Sequence, residues 1–351
     1  MSAASPGLPG LDLTTLTPWF REQVPGVAAD AELTARLVSG GKSNLTYELT
    51  DGTTSWIIRR PPLGQVLATA HDMGREYTVM TALRGTPVPV PITYAICPDD
   101  AVLGAPFYVM ERVEGTPYRW ASELAPLGAG RVRALSEQLV DVLAALHEVQ
   151  SATVGLAEFG RPDGFLARQV RRWGKQMDAS RTRALPAADE LLLRLAATVE
   201  DVQRVGSSPG IVHGDFRLDN ALVHSDATGD TIRAVIDWEM ATLGDPLTDL
   251  ALMLVYGRMA SFGTVPDMPN SAIAPGYLSE DEIIARYDAA SHRDLSHIGF
   301  YVGLAAYKLA AIVEGIHYRY LHGQTVGDGF AGIGDAVEPL LATGLDALDL
   351  S

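Results

Sequence analysis

The spacing of apolar positions changes character along the chain. Between Ala35 and about Val113, short β-branched runs such as Ser55 to Arg59 and Phe107 to Met110 are separated by glycine and proline turns. Runs of this kind place successive side chains on opposite faces of a strand. One segment, near residues 71 to 84, carries helical spacing instead. From Leu124 onward helical spacing dominates, as in Arg131 to Gln150 and Ala187 to Val205, with one interruption between Ile211 and Trp238 that reads as a hairpin. The first 30 or so residues are rich in proline, glycine and alanine around a short amphipathic piece at Trp19 and Phe20, and read as a lid or extension. The pattern predicts an α+β chain with an extension over 1–30, a small β-rich lobe over 31–113 and a larger, mainly helical lobe over 114–351.

Composition narrows the partners. A chain of 351 residues is long enough for two cores. Its formal charge of −16 argues against general binding to phosphate backbones, which depends on lysine and arginine releasing counterions, so no nucleic-acid partner is expected. Cys97 stands alone, which rules out an internal disulfide and fits a reducing compartment. No run of about 18 apolar residues and no basic, apolar leader is read, so no membrane association and a cytoplasmic location are expected. Oligomeric state is left open.

The hairpin carries the chemistry. It reads IVHGDFRLDNALVHSDATGDTIRAVIDWE, with a strand over Ala221 to Val223, turn residues from Ser225 to Asp230 and a return over Ile232 to Ile236. Pairing His224 with Thr231 sets Asn220 opposite Val235, one diagonal step of roughly 7 Å from Asp237. Asp215 lies in the loop just before. Two carboxylates and an amide oxygen suit a hard cation such as magnesium, which keeps waters and shares its shell with substrate phosphates. In protein kinases a catalytic-loop aspartate takes the acceptor's proton, an asparagine five residues on holds magnesium, and an aspartate after a hairpin holds the metal bridging the phosphates; Asp215, Asn220 and Asp237 have that spacing. Taken singly, an Asp or Asn in a loop is a turn former. His213 is read as a brace for the loop, and Asp249 as a carboxylate binding loop N–H groups.

The run resembles the aminoglycoside phosphotransferase and choline kinase-like family in His213-Gly214-Asp215, Asn220 and Ile236-Asp237-Trp238-Glu239, and again in Gly244-Asp245-Pro246 and Asp249-Leu250. Gly40-Gly41-Lys42-Ser43-Asn44 and Arg59-Arg60-Pro61-Pro62 resemble the subgroup associated with acyl-CoA dehydrogenase-like proteins. The resemblance implies a bilobal protein kinase-like fold. It implies a magnesium-dependent kinase that transfers the γ-phosphoryl group of ATP, with GTP as the alternative donor, to a hydroxyl of a small molecule. Asp215 would be the base, Asn220 and Asp237 the metal ligands. Arg217, where protein kinases acting on serine or threonine carry lysine, would steady the transferred phosphoryl group; a solvated arginine is the other reading.

The resemblance also places a nucleotide loop between the first two strands, at Ser39 to Leu45. Gly41-Lys42-Ser43 looks like the end of a Walker A loop, but that pattern needs glycine where Arg36 stands. Gly40 and Gly41 instead permit close approach to the phosphates, and Ser43 and Asn44 add hydrogen bonds. The family's third strand presents a lysine to the phosphates; here arginine replaces it, with Arg59 the better aligned, Arg60 on the other face and Glu76 as the partner. Glu111 to Val113 resemble the hinge whose backbone holds the adenine edge. The helical run Phe300 to Leu321 carries few charges, and Tyr307, Glu314 and Tyr318 on one face suit a partly apolar acceptor. Two other classes fit some of the residues. One is a nucleotide-binding module without catalysis, suggested by the missing lysine; the other is a metal-dependent phosphohydrolase, although the histidines show no paired metal spacing.

Overall fold

The computed structural model describes residues 8–28, 30–38, 44–63, 72–205, 208–263, 268–325 and 330–349. They divide into two compact units, one running up to Gly115 and taking in Arg233–Ala241, the other comprising Thr116–Ile232 and everything from Thr242 on.

In the first unit, helix α1 (Leu13–Gln23) precedes strands β1 (Thr34–Leu37), β2 (Leu45–Thr50) and β3 (Ser55–Arg60), then helix α2 (Met73–Leu83) and strands β4 (Thr93–Cys97) and β5 (Phe107–Glu111). The described strands form an antiparallel sheet in the order β1-β2-β3-β5-β4. At the β2–β3 turn Asp51 Oδ1 accepts from the N–H groups of Thr53 and Thr54 at 2.9 and 2.7 Å. That turn pairs Tyr47 with Ile58 and Thr46 with Arg59. The two-residue period then sorts the side chains. Tyr47, Leu49, Trp56 and Ile58 line one face, and Tyr108 and Arg59 the other.

The N-terminal segment expected to be an extension belongs to this core. Asp12 caps α1 by accepting from Thr14 N–H at 2.9 Å, and Leu16 and Phe20, one turn apart, are fully buried with Tyr47, Trp56 and Phe107. The rings of Trp19 and Phe107 and of Phe20 and Trp56 meet edge to face at 4.7 and 5.2 Å.

The second unit contains helices α3 (Ala121–Leu124), α4 (Ala129–Glu148), α5 (Phe165–Ser180) and α6 (Pro186–Val205), strands β6 (Gly210–Val212), β7 (Ala221–Asp226), β8 (Gly229–Val235) and β9 (Thr242–Gly244), and helices α7 (Leu247–Ala260), α8 (Glu280–Ala290), α9 (Ile298–Leu321) and α10 (Val337–Asp349). The β7–β8 turn is tighter than the sequence suggests, because Asp226 accepts from Thr228 N–H at 2.7 Å and both strands run up to it. β8 crosses out of the unit at Arg233. Helix α9 packs against α5, α6, α7 and α10. Contrary to the reading of the sequence, α9 is long and apolar enough to cross a membrane; 78% of its apolar window is buried in the protein, as in the core helix of a folded unit.

Candidate active site

In the first unit the proposed phosphate-handling residues meet on the α2 side of the sheet. Arg59 lies with Nη1 3.4 Å from Glu76 and Nη2 2.5 Å from Asp237 Oδ1. Burial opposes the charge on Arg59, and Tyr108, Glu76 and Asp237 together outweigh it. Glu76 is fully buried and also accepts from Tyr108 Oη at 2.9 Å. Burial pushes its carboxyl up to about 7, against the pull of Arg59. Arg60 faces the other way and binds the carbonyls of Gly10 and Leu103 at 2.5 and 2.8 Å. The two arginines therefore separate cleanly in what they should do when lost. Arg59→Ala is expected to raise the apparent nucleotide constant at least tenfold by removing a charge-assisted contact, while Arg60→Ala lowers the melting temperature through loss of about 2 kcal/mol and leaves nucleotide affinity in place. Titration of both variants with nucleotide, beside thermal melts, checks this.

Asp237 is the only non-glycine residue with positive φ among the described residues, at φ 68° and ψ 54°. Such a conformation persists in a residue with a Cβ only where surrounding structure imposes it. The imposition is visible: Trp238 Nε1 donates to Val235 O at 2.9 Å, Val235 N donates to Pro89 O at 2.8 Å, and Arg75 Nε donates to Ala241 O at 2.7 Å. Asn44 is expected to bind phosphate, but its amide donates to Glu76 and Glu239 at 3.2 and 3.0 Å and is only 3% exposed. It braces carboxylates. Gly40, Gly41 and Ser43 lie outside the described residues. Glu111 ends β5, with its side chain accepting from Ile92 N–H at 3.1 Å, and Val113 follows in open chain, half-buried.

In the second unit Asp215 sits in the loop after β6. Gly214, at φ 89°, turns the backbone into it. The buried carboxylate of Asp249 accepts from the N–H groups of His213 and Gly214 at 2.6 and 2.8 Å, and His213 Nδ1 accepts from Asp215 N–H at 3.2 Å. Both histidine and aspartate thus hold the loop, as read from the sequence. Asp215 presents a carboxylate fixed at both oxygens: Tyr256 Oη donates to one at 2.7 Å and Asn220 Nδ2 to the other at 3.0 Å. A carboxylate so held keeps lone pairs for one incoming proton.

Each unit presents an oxygen of the kind a hard cation such as magnesium takes. The Asn220 amide nitrogen is engaged by Asp215, and no hydrogen bond reaches Asn220 Oδ1 among the described residues. Likewise Asp237 gives Oδ1 to Arg59 and keeps Oδ2. These are the hard oxygen donors magnesium takes. Arg217 is not the solvated arginine of the alternative reading: it is paired with Asp219 and lies 4.6 Å from the centre of the Tyr256 ring.

The acceptor face read from α9 is overturned at Tyr307 and Glu314. Tyr307 and Glu314 have no exposed surface, and Glu314 is occupied by Thr182 N and Oγ1 at 2.8 and 2.6 Å and by Arg183 at 3.1 Å. Groups with no surface cannot meet an acceptor arriving from solvent. Tyr318 stacks on His322 at the end of the helix. It is the adjacent face of α9 that addresses the loop, through Lys308, whose ammonium donates to Gly214 O at 2.9 Å and lies 5.8 Å from the Trp173 ring centre. Burial pulls Lys308 below the usual lysine range, and the Asp215 and Asp249 carboxylates hold it up. Lys308→Met is expected to lower kcat by about tenfold to a hundredfold with little change in the nucleotide constant, since only the loop's placement suffers. Recovery in Lys308→Arg would support placement by charge, whereas wild-type kcat in the methionine variant would remove the role.

A profile of the phosphotransferase enzyme family matches residues 34–290. The rat protein named acyl-CoA dehydrogenase family member 11 is 34% identical over 341 residues, covering 95% of this chain but 43% of its own length. The chain thus spans less than half of that relative. A crystal structure of a proposed aminoglycoside phosphotransferase from Ralstonia eutropha is 30% identical, with a TM-score of 0.83 and coverage of 97% and 98% of the two chains. The fold alone is shared with a GDP and kanamycin complex of APH(2")-IIIa, 16% identical at a TM-score of 0.64, with 95% of this chain and 99% of that chain covered. With these neighbours the sheet-bearing and helical units are those of a protein kinase-like fold.

Proposed function

Because the chain belongs to the phosphotransferase enzyme family, we propose that it is an ATP- and magnesium-dependent kinase acting on a hydroxyl of a small, partly apolar molecule. The observation that carries the reading is Asp215, whose two carboxylate oxygens are held by Tyr256 and Asn220 at the end of a loop anchored on Asp249. An aspartate so placed receives the proton of the acceptor hydroxyl as its oxygen bonds to the γ-phosphorus and the bond to the β-phosphate bridging oxygen breaks, releasing ADP. Arg59, carrying full charge beside Glu76, binds donor phosphates in place of the family's lysine, and its planar fork suits two phosphate oxygens at once. Asp237 and Asn220 offer the oxygens that would hold magnesium, which when bound neutralises charge developing on the phosphates. Backbone groups of Glu111 to Val113 would hold the base. GTP is the alternative donor, since the related fold of APH(2")-IIIa was solved with GDP.

Acceptor-dependent ADP release, screened over hydroxylated metabolites and aminoglycosides, tests the reading. Release that requires an acceptor supports it. Nucleotide hydrolysis indifferent to every acceptor favours a phosphohydrolase, and nucleotide binding without turnover favours a non-catalytic module.

A further inference from the structure

A cavity of about 220 Å³ opens in the second unit between α7 and the segment leading into α8, lined by Met253, Leu254, Gly257, Ala272, Leu278 and Ile283. A smaller space of about 30 Å³ adjoins it, sharing Met253, Gly257, Ala272 and Tyr277 and bounded further by Tyr256, Arg217 and Asp219. Tyr256 is the residue whose hydroxyl donates to Asp215 at 2.7 Å. The larger space therefore shares walls with a smaller one that is bounded by the side chain orienting Asp215.

From this arrangement, and resting on the kinase reading above, we infer that the cavity holds an unbranched apolar portion of the acceptor, whose hydroxyl then lies at Asp215. Charge supports an uncharged occupant. Arg258 and Glu280, which line the cavity together with Tyr277 and Ser279, form a two-pronged ion pair with each other, Nε to Oε2 at 2.8 Å, and Arg217 is paired with Asp219, so the charged groups on these walls satisfy one another. Among the described lining residues a polycation would find no unpaired carboxylate. Size sets the reach: at roughly 30 Å³ for a water-sized group, the larger space takes about seven methylene-sized groups.

Gly257 offers a test that spares the backbone. A Cβ added there meets only the Ala272 Cβ, at 4.0 Å, and a helical position accepts leucine readily, so Gly257→Leu fills the cavity without displacing the helix. The probes are straight-chain primary alcohols from 1-butanol to 1-decanol, followed by the methyl signal of Met253 in NMR titrations, with melting temperature as the control for folding. For the wild-type protein the dissociation constant should fall about fourfold per added methylene and level off near seven carbons. Gly257→Leu should weaken 1-hexanol binding about tenfold or more, and Met253→Ala should move the levelling point to longer chains. Binding independent of chain length, or equal binding in wild type and the leucine variant, overturns the cavity assignment. The same alcohols are then offered as acceptors in ADP release. A matching chain-length dependence that Gly257→Leu abolishes supports the acceptor role, and turnover insensitive to both substitutions overturns it. Alcohols that bind with the expected slope while no acceptor of any class supports ADP release would leave a ligand cavity standing and remove the kinase reading instead.

Discussion

Replacing Asp215 by asparagine is expected to lower turnover by about 10²- to 10⁴-fold while the nucleotide constant changes less than twofold. The size follows from the local geometry. Asparagine keeps the shape of the side chain, and the anchors of the loop lie elsewhere, on Asp249 and Lys308. What disappears is the anionic oxygen that takes the hydroxyl proton. The amide that replaces it accepts from Tyr256 through its oxygen but turns an N–H₂ toward Asn220 Nδ2, which is itself a donor, so part of the loss is orientation. Steady-state kinetics with a saturating acceptor give both constants from one data set. Turnover within a few-fold of wild type would remove Asp215 from the base position.

Asp237 carries the second large effect, and its backbone makes the expectation specific. Asp237→Ala should raise the apparent constant for magnesium-dependent nucleotide binding at least tenfold, because a hard oxygen ligand is gone and Arg59 is left with Glu76 alone. Alanine also keeps the steric cost of φ 68°, which glycine does not share. Asp237→Gly should therefore be as poor in nucleotide binding as Asp237→Ala yet more stable by about 1 kcal/mol. Magnesium titrations followed by a bound fluorescent nucleotide, with urea unfolding of both variants, separate the two properties. Identical magnesium dependence in wild type and Asp237→Ala would end the ligand assignment.

The strands and the β7–β8 hairpin were legible because their signals are local. Period-two alternation gives the faces of β2, β3 and β5, which is enough to send Arg59 and Arg60 to opposite sides of the sheet. The N-terminal helix was obscured by composition. Its buried pair, Leu16 and Phe20, has the right spacing, but Pro18 stands between them and the surrounding prolines and glycines read as loop. On α9 the difficulty was of another kind. A helix buried on nearly every side has no polar stripe to say which face looks where, so aromatic and acidic residues drew the acceptor assignment while the lysine one position on from Tyr307 held the loop that carries Asp215. A lone lysine in an otherwise apolar run was the available clue, because a buried cation needs a partner. Tyr256 carried no comparable mark. Nothing in the spacing of α7 separates a tyrosine that touches Asp215 from one that fills the core.

Phosphorus NMR of the reaction products bears most directly on phosphoryl transfer to a hydroxyl. Wild-type protein incubated with ATP, magnesium and an acceptor that stimulates ADP release should yield a new phosphomonoester signal equal in amount to the ADP formed, and Asp215→Asn should yield neither within the same time. ADP matched instead by inorganic phosphate, with no ester at any acceptor concentration, would contradict the account.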